Sequence, residues 1–316
     1  MPFSENDVPD LTGKIAIVTG GNSGIGKQTV AVLLSKGAKV YVAARSEAKA
    51  KQAIKELQEA RPETKKGQVE YITLDLSEAK KAKAAAIDFK QRESRLHLLF
   101  NNAGIMGVPK GSKSPDGYEL QWATNVFGPF VFTHHLLPVL KATAADSPPG
   151  TVRIINTSSS GAGQAPKKGE PIPLDDPTVG AGANPASPSA CYGHGKLGDI
   201  LWTRELAKRH KDIWSFAPHP GPVQSDLIRH MGIPGPVVWC LNRVVFKPVE
   251  YGALTQIFAG TSPTITADKN GSYLVPLAQF TNSLPHPRAN DDALGKKVWD
   301  WCEKAMNQHD AGDDAI

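Results

Sequence analysis

The chain has 316 residues, 40% of them hydrophobic and 21% charged, with 29 glycines, 25 prolines and a formal net charge of +5 at neutral pH. That length and balance support a full buried core in one domain and exclude collagen-like and disordered chains. The lysines alternate with acidic residues along helix-like faces, as in Lys49, Lys51 and Lys55 beside Glu47, Glu56 and Glu59, which argues for a solvated surface and against a nucleic-acid partner.

The stretch up to Lys14 has neither the basic start nor the apolar run of a secretory signal, and nothing later approaches the ~18 apolar residues of a spanning helix. Residues 15–19 form the first apolar, β-branched run and read as a strand. Gly20, Gly24 and Gly26 follow it, and a helix opens at about Ile25 and runs through 27–35. Further strands are expected at 39–43, 69–73, 96–100 and 152–157. Helices over 48–60 and 78–90 lie between them, where helix formers carry apolar residues three and four apart. Residues 213–217 and 272–275 read as later strands, and 309–316 as a frayed tail. The alternation predicts one α/β domain over 1–316, a doubly wound Rossmann-type parallel sheet flanked by helices.

Two stretches break the rhythm. Residues 161–188 are dense in Gly, Pro, Ala and Ser and read as a long irregular loop, a length that often marks a functional lid. From 232 to about 248 runs an apolar segment with Pro234 and Pro236, read as a loop and short helix over a pocket; Val237, Val238, Trp239, Leu241, Val244 and Phe246 offer it a lining.

The glycines after 15–19 stand where a chain must turn sharply and let its backbone approach a pyrophosphate, which then meets the N–H groups of the following helix. Tyr192 and Lys196, four apart, share one face of a helix, a spacing that puts an ammonium beside a phenol. An adjacent cation lowers a phenol's pKa from ~10 by about 1 to 3 units, enough to make it useful for proton transfer. By itself the spacing is common by chance and fits an ordinary surface pair better.

Taken together, these features resemble the short-chain dehydrogenase/reductases, and within them the retinol-dehydrogenase-like and fungal-type members. The resemblance runs from Leu11 to about Gly271. Besides the glycine loop and the Tyr192–Lys196 pair, it rests on Asn101-Asn102-Ala103-Gly104, on Asn125, on Asn156-Thr157-Ser158-Ser159 and on Pro220-Gly221. It implies a seven-stranded sheet and hydride transfer at a carbonyl or alcohol carbon of a small molecule. Tyr192 would be the general acid or base, Lys196 the residue that holds the nicotinamide ribose and tunes Tyr192, and Ser159 the group that orients the substrate oxygen. Ser158 and Ser160 remain as neighbouring alternatives for that serine. Asn125 would support a water that relays protons from Lys196.

For the cofactor, the resemblance implies contacts from Gly20, Asn22, Ser23, Gly24, Ile25 and Gly26, and from Asp75 and Leu76 after the third strand. Asn101, Asn102, Ala103 and Gly104 would flank the adenine, and Pro220, Gly221, Val223 and Ser225 would meet the nicotinamide end. NAD-using members carry an acidic residue after the second strand, whereas this chain has Ala44 followed by Arg45 and Ser46. A guanidinium there pairs with a 2′-phosphate, so NADP (NADPH) is the expected cofactor.

His134 and His135 have no partners at metal-ligand spacing, and Cys191, Cys240 and Cys302 are too scattered for a disulfide framework, so no metal site is expected. His194 points away from the Tyr192–Lys196 face. Cytoplasmic location, no membrane anchor and association into homo-oligomers complete the expectation. The rival readings are a reductase of enone C=C bonds on the same framework and a non-catalytic NADP-sensing regulator.

Overall fold

The structure, a computed structural model, describes residues 3–224 and 246–311. Its strands are β1 Ile15–Thr19, β2 Lys39–Ala44, β3 Gln68–Thr73, β4 Leu98–Asn101, β5 Arg153–Asn156, β6 Trp214–Pro218, β7 Tyr273–Val275 and β8 Gln279–Phe280. They form one sheet in the order β3-β2-β1-β4-β5-β6-β7-β8. β1 to β7 run parallel, and only β8, which the sequence reading did not assign, is antiparallel to its neighbour. Ala16, Ile17 and Val18 of β1 and Ile154 and Ile155 of β5 are fully buried. Strands covered on both faces read as unbroken apolar runs, and for that reason they stood out in the sequence.

The helices are α1 Gly24–Ser35, α2 Glu47–Ala60, α3 Ala79–Arg92, α4 Leu120–Trp122, α5 Gly128–Ala145, α6 Pro188–Arg209, α7 Val249–Thr261 and α8 Asp292–Ala311. α1, α2 and α7 cover one face through Val30, Leu33, Ile54 and Ile257. α3, α5, α6 and α8 cover the other through Phe89, Phe130, Leu197 and Val298. The layers are those of a doubly wound fold, and the strand order reverses between β1 and β4. That reversal opens a crevice at the carboxyl ends of these two strands, where open α/β sheets bind their ligands.

Strand boundaries differ from the reading by one or two residues. Leu96, expected in β4, gives its N–H to Thr143 Oγ1 at 2.9 Å instead of to a neighbouring strand. The larger difference is α8, where a tail was expected to begin at 309. Leu294, Val298, Cys302 and Met306 form its buried stripe, Trp301 meets Trp122 and Phe127 edge-on, and Arg209 of α6 lies 4.7 Å from the Trp299 ring. Residues 312–316 lie outside the described part.

The 161–188 stretch is irregular, apart from a 3-10 turn over Ser160–Gln164. It is tied down along its length. Ile172 and Val179 are buried in the core, Asp176 accepts from Thr178 N, Thr178 Oγ1 and Gly180 N, and Glu119 N donates to Thr178 O at 2.7 Å. Of the apolar segment expected at 232–248, residues 232–245 lie outside the described residues; Phe246 is half-buried.

Candidate functional site

The crevice begins with a clip between β1 and β4. Thr19 Oγ1 accepts from Asn102 N at 3.0 Å and Ala103 N at 2.9 Å, and Asn102 Nδ2 donates back to Thr19 O at 2.9 Å. Gly20 and Gly24 have φ of +65° and +50°, the left-handed region that glycine enters freely. A Cβ on Gly26 would stand 2.3 Å from Gly20 O and 2.5 Å from Asn102 Nδ2. The loop is therefore a bare backbone cradle at the start of α1. Ser23 is the N-cap residue of α1, yet its hydroxyl makes no capping bond and is exposed. Backbone N–H groups and a helix N-terminus suit a pyrophosphate, so these residues fit a dinucleotide. Asn22 is half-buried beside them, and Ile25 packs near Val223 on Gly252.

At the end of β2, Arg45 is exposed and no ion pair holds it among the described residues, while Ser46 caps α2. Asp75 uses Oδ1 to accept from Ser77 N and Ser77 Oγ. The Leu76 side chain is core, and its carbonyl lies where a Cβ on Gly128 would sit 2.0 Å away. After β6, Gly221 has a φ of +86°, and Val223 is buried. Pro220 is half-buried. Ser225 falls outside the described residues.

Asn125 sits in a π turn, Ala123–Phe127, between α4 and α5. Such turns expose backbone groups and recur at functional sites. Its amide is locked face to face with Ile105, accepting from Ile105 N at 2.8 Å and donating to Ile105 O at 2.9 Å. A Cβ on the neighbouring Gly104 would lie 3.2 Å from Asn125 Oδ1 and 3.7 Å from Lys196 Nζ, which places all three side by side.

α6 begins at Pro188 behind the N-cap Ser187 and carries Tyr192 and Lys196 one turn apart. Its glycines let it approach closely: a Cβ on Gly193 would be 2.2 Å from Ala165 N, and one on Gly198 would be 3.0 Å from Trp122. The three serines after β5 separate cleanly. Ser158 Oγ donates to Lys196 O at 2.8 Å and is buried, and Ser160 is exposed. Ser159 Oγ accepts from Gly161 N at 3.0 Å, and a Cβ on Gly161 would sit 2.5 Å from Tyr192 Cε1 and 3.2 Å from Ser159 Oγ. Ser159 and Tyr192 thus flank one glycine.

Lys196 is buried, and its Nζ donates to Thr157 O at 2.7 Å and to Asp199 Oδ2 at 2.8 Å. Burial alone would pull the Lys196 pKa down, but the Asp199 and Tyr192 oxygens outweigh it and hold the ammonium above its ordinary value. Burial also raises the Asp199 carboxyl to about 6, against the pull of Lys196.

Three features escaped the sequence reading. Asp199 stands at the readable i+3 position from Lys196, but its burial is not a sequence property. Gln256 of α7 ties the two halves of the crevice together, donating to Thr29 Oγ1 at 2.6 Å and accepting from Thr157 Oγ1 at 2.9 Å. Glu119 is buried beside Cys191; burial pushes the Cys191 thiol up to about 12, helped by that carboxylate, so the residue next to Tyr192 is an inert thiol. His194 is buried too, its pKa lowered to about 4 by that burial. His134 stacks on Phe130, and His135 Nε2 lies 3.5 Å from Asp310. Among the described residues no group of three His, Cys, Asp or Glu is placed to hold a metal, and no helix is long and apolar enough to cross a membrane.

A glycine cradle on a helix N-terminus at the reversal point of a parallel sheet defines a Rossmann-type nucleotide-binding fold. The short chain dehydrogenase family profile matches residues 14–171. A short-chain dehydrogenase/reductase of Armillaria gallica is 42% identical over 303 residues, covering 95% of this chain and 93% of that protein. An oxidoreductase of Schizosaccharomyces pombe is 39% identical over 95% of this chain and 86% of its own length. Among solved structures, a protein of Mycobacterium paratuberculosis superposes with a TM-score of 0.73 at 25% identity, covering 97% of this chain and 98% of that one. The Pseudomonas aeruginosa RhlG/NADP complex gives 0.61 at 27% identity over 84% and 95%. This chain belongs to the short-chain dehydrogenase/reductase family and is an oxidoreductase.

Proposed function

We propose that the chain is an NADP-dependent enzyme that transfers a hydride between the nicotinamide and a carbonyl or alcohol carbon of a bulky, apolar small molecule. The observation that carries this reading is the meeting of Tyr192, Ser159, Lys196 and Asn125 around Gly104 and Gly161 at the carboxyl ends of β4 and β5. When bound, NADPH supplies the hydride. Ser159 Oγ, beside the Tyr192 ring, orients the carbonyl oxygen, and Tyr192 Oη donates the proton that oxygen needs; in the alcohol-oxidising direction Tyr192 takes it back. Lys196, whose Nζ lies beside Gly104, stabilises the phenolate that remains and would hold the cofactor ribose, and Asn125 would support a water that returns the proton.

NADP is preferred because Ala44 offers no carboxylate to repel a 2′-phosphate, while the exposed Arg45, which no ion pair holds among the described residues, and the Ser23 hydroxyl, which makes no capping bond, are available to it. RhlG, similar to this chain, carries NADP in its complex. The apolar substrate rests on the sequence of residues 232–248. A cytoplasmic location and homo-oligomers belong to the same proposal. The test is NADPH consumption by the purified protein against short aliphatic aldehydes, aromatic ketones, quinones and steroid ketones. Turnover of ring-sized carbonyls to alcohols with NADPH preferred over NADH is the expected result; reduction at an enone carbon, or binding without turnover, would replace it by one of the rivals.

A further inference from the structure

A buried carboxylate next to the lysine of this site has no place in the proton transfer just described. Asp199 is 3% exposed, stands on α6 one turn beyond Lys196, and takes Nζ at 2.8 Å. Both side chains are nearly excluded from water, at 8% and 4% exposure. The Thr157 carbonyl takes a second N–H of the ammonium, which leaves one for the crevice. Two acceptors hold Nζ in place, and one of them is a carboxylate. In a buried setting a counter-charge at this distance changes how strongly the ammonium acts on any other neighbour.

We propose that Asp199 is a positioning residue: it anchors Lys196 Nζ against the Thr157 carbonyl and, by partly cancelling its charge, sets how strongly Lys196 stabilises the Tyr192 phenolate. The inference rests on the reading of Tyr192 and Lys196 as the proton-transfer pair. The groups that bear on the trio are few. Lys196 and the Trp202 indole face Asp199, Asp199 and Tyr192 face Lys196, and Tyr273 of β7 bears on Tyr192. The π turn contributes the neutral Asn125 amide and the end of β5 the Thr157 carbonyl. No other anion competes with Asp199 for Nζ among the described residues.

The experiment needs neither substrate nor cofactor. The ultraviolet phenolate band is followed against pH in the wild type and in Tyr192→Phe, and the difference isolates Tyr192 from the other five tyrosines of the chain. The same pair is then recorded in an Asp199→Asn background, which keeps the shape and an acceptor for Nζ but removes the charge. The expected result is a Tyr192 midpoint lower by about one pH unit or more, because the uncancelled ammonium now favours the phenolate. Asp199→Glu restores the charge and should return the midpoint toward the wild-type value. If Asn is not accommodated, Asp199→Ser, which admits water beside Nζ, answers the same question. A midpoint that stays put or rises in a folded Asn or Ser variant overturns the proposal. Failure of the underlying reading is seen separately, as turnover surviving in Tyr192→Phe.

Discussion

Gly193 is the position where the packing of α6 translates most directly into the geometry of the site. An alanine Cβ there would stand 2.2 Å from Ala165 N, 2.6 Å from Gln164 C and 2.9 Å from Ala165 Cα. Contacts between heavy atoms settle near 3.5 to 4.0 Å, so the backbone must move by roughly 1 Å or more, and every obstacle is main chain with no rotamer to turn. Overpacking of this kind costs ~1 to 3 kcal/mol, offset by about 1 kcal/mol from the better helix propensity of alanine. The net loss of stability is therefore small, but the turn that must yield is Ser160–Gln164, and Gly161 in it is the spacer between Ser159 and Tyr192. A displacement of about 1 Å between reacting groups lowers rates by up to ~10²-fold. We predict that Gly193→Ala loses roughly ten- to a hundredfold in kcat on the best carbonyl of the panel, while NADPH affinity, measured by fluorescence titration, changes less than about threefold because the cradle is untouched. Thermal unfolding checks that the fold survives. A folded variant with kcat within a factor of about three of wild type would refute the idea that this contact sets the Ser159–Tyr192 spacing.

Two further predictions address the cofactor and the fold. Replacing Ala44 by Asp and Arg45 by Ile together should lower the NADPH-to-NADH preference ratio ten- to a hundredfold, since a charge-assisted contact is worth roughly 1.5 to 3 kcal/mol; equal use of both cofactors by the wild type would remove Arg45 from the account. His97, buried and accepting from Ile15 N at 3.0 Å through Nδ1, has its pKa lowered to about 4 by burial, as have His194 and His219. A depressed imidazole pKa stabilises the fold above its unfolded value of about 6.5, and that stability is lost as the pH falls toward 4. The melting temperature should therefore drop across that window, and less steeply in His97→Asn, which keeps an acceptor for Ile15; an unchanged slope would contradict the assignment.

What could be read in advance divides by the range of the interactions involved. β1, β2 and the cradle glycines are local facts of sequence, set by apolar runs and by backbone conformations that glycine alone adopts easily. Tyr192 and Lys196 were legible because one helical turn relates them. The resemblance points to Ser159, but the residues alone do not separate it from Ser158 and Ser160, since that depends on Ser158 being claimed by the Lys196 carbonyl from another element. Asp199 looked like any polar residue in a helix until its burial against Lys196 appeared, and Gln256 acquires its role only by reaching Thr29 and Thr157 across the sheet. α8 was overlooked although its apolar residues recur with helical period, because its partners, Trp122, Phe127 and Arg209, are far away in the chain.

The central claim is that Tyr192 moves the proton, and Tyr192→Phe tests it with one atom removed. General acid catalysis is typically worth ~10² to 10⁴ in rate, so turnover should fall by at least a hundredfold while NADPH binding, measured by fluorescence titration, stays within about threefold of wild type. A variant that binds NADPH normally and keeps more than about a third of wild-type turnover would contradict the account.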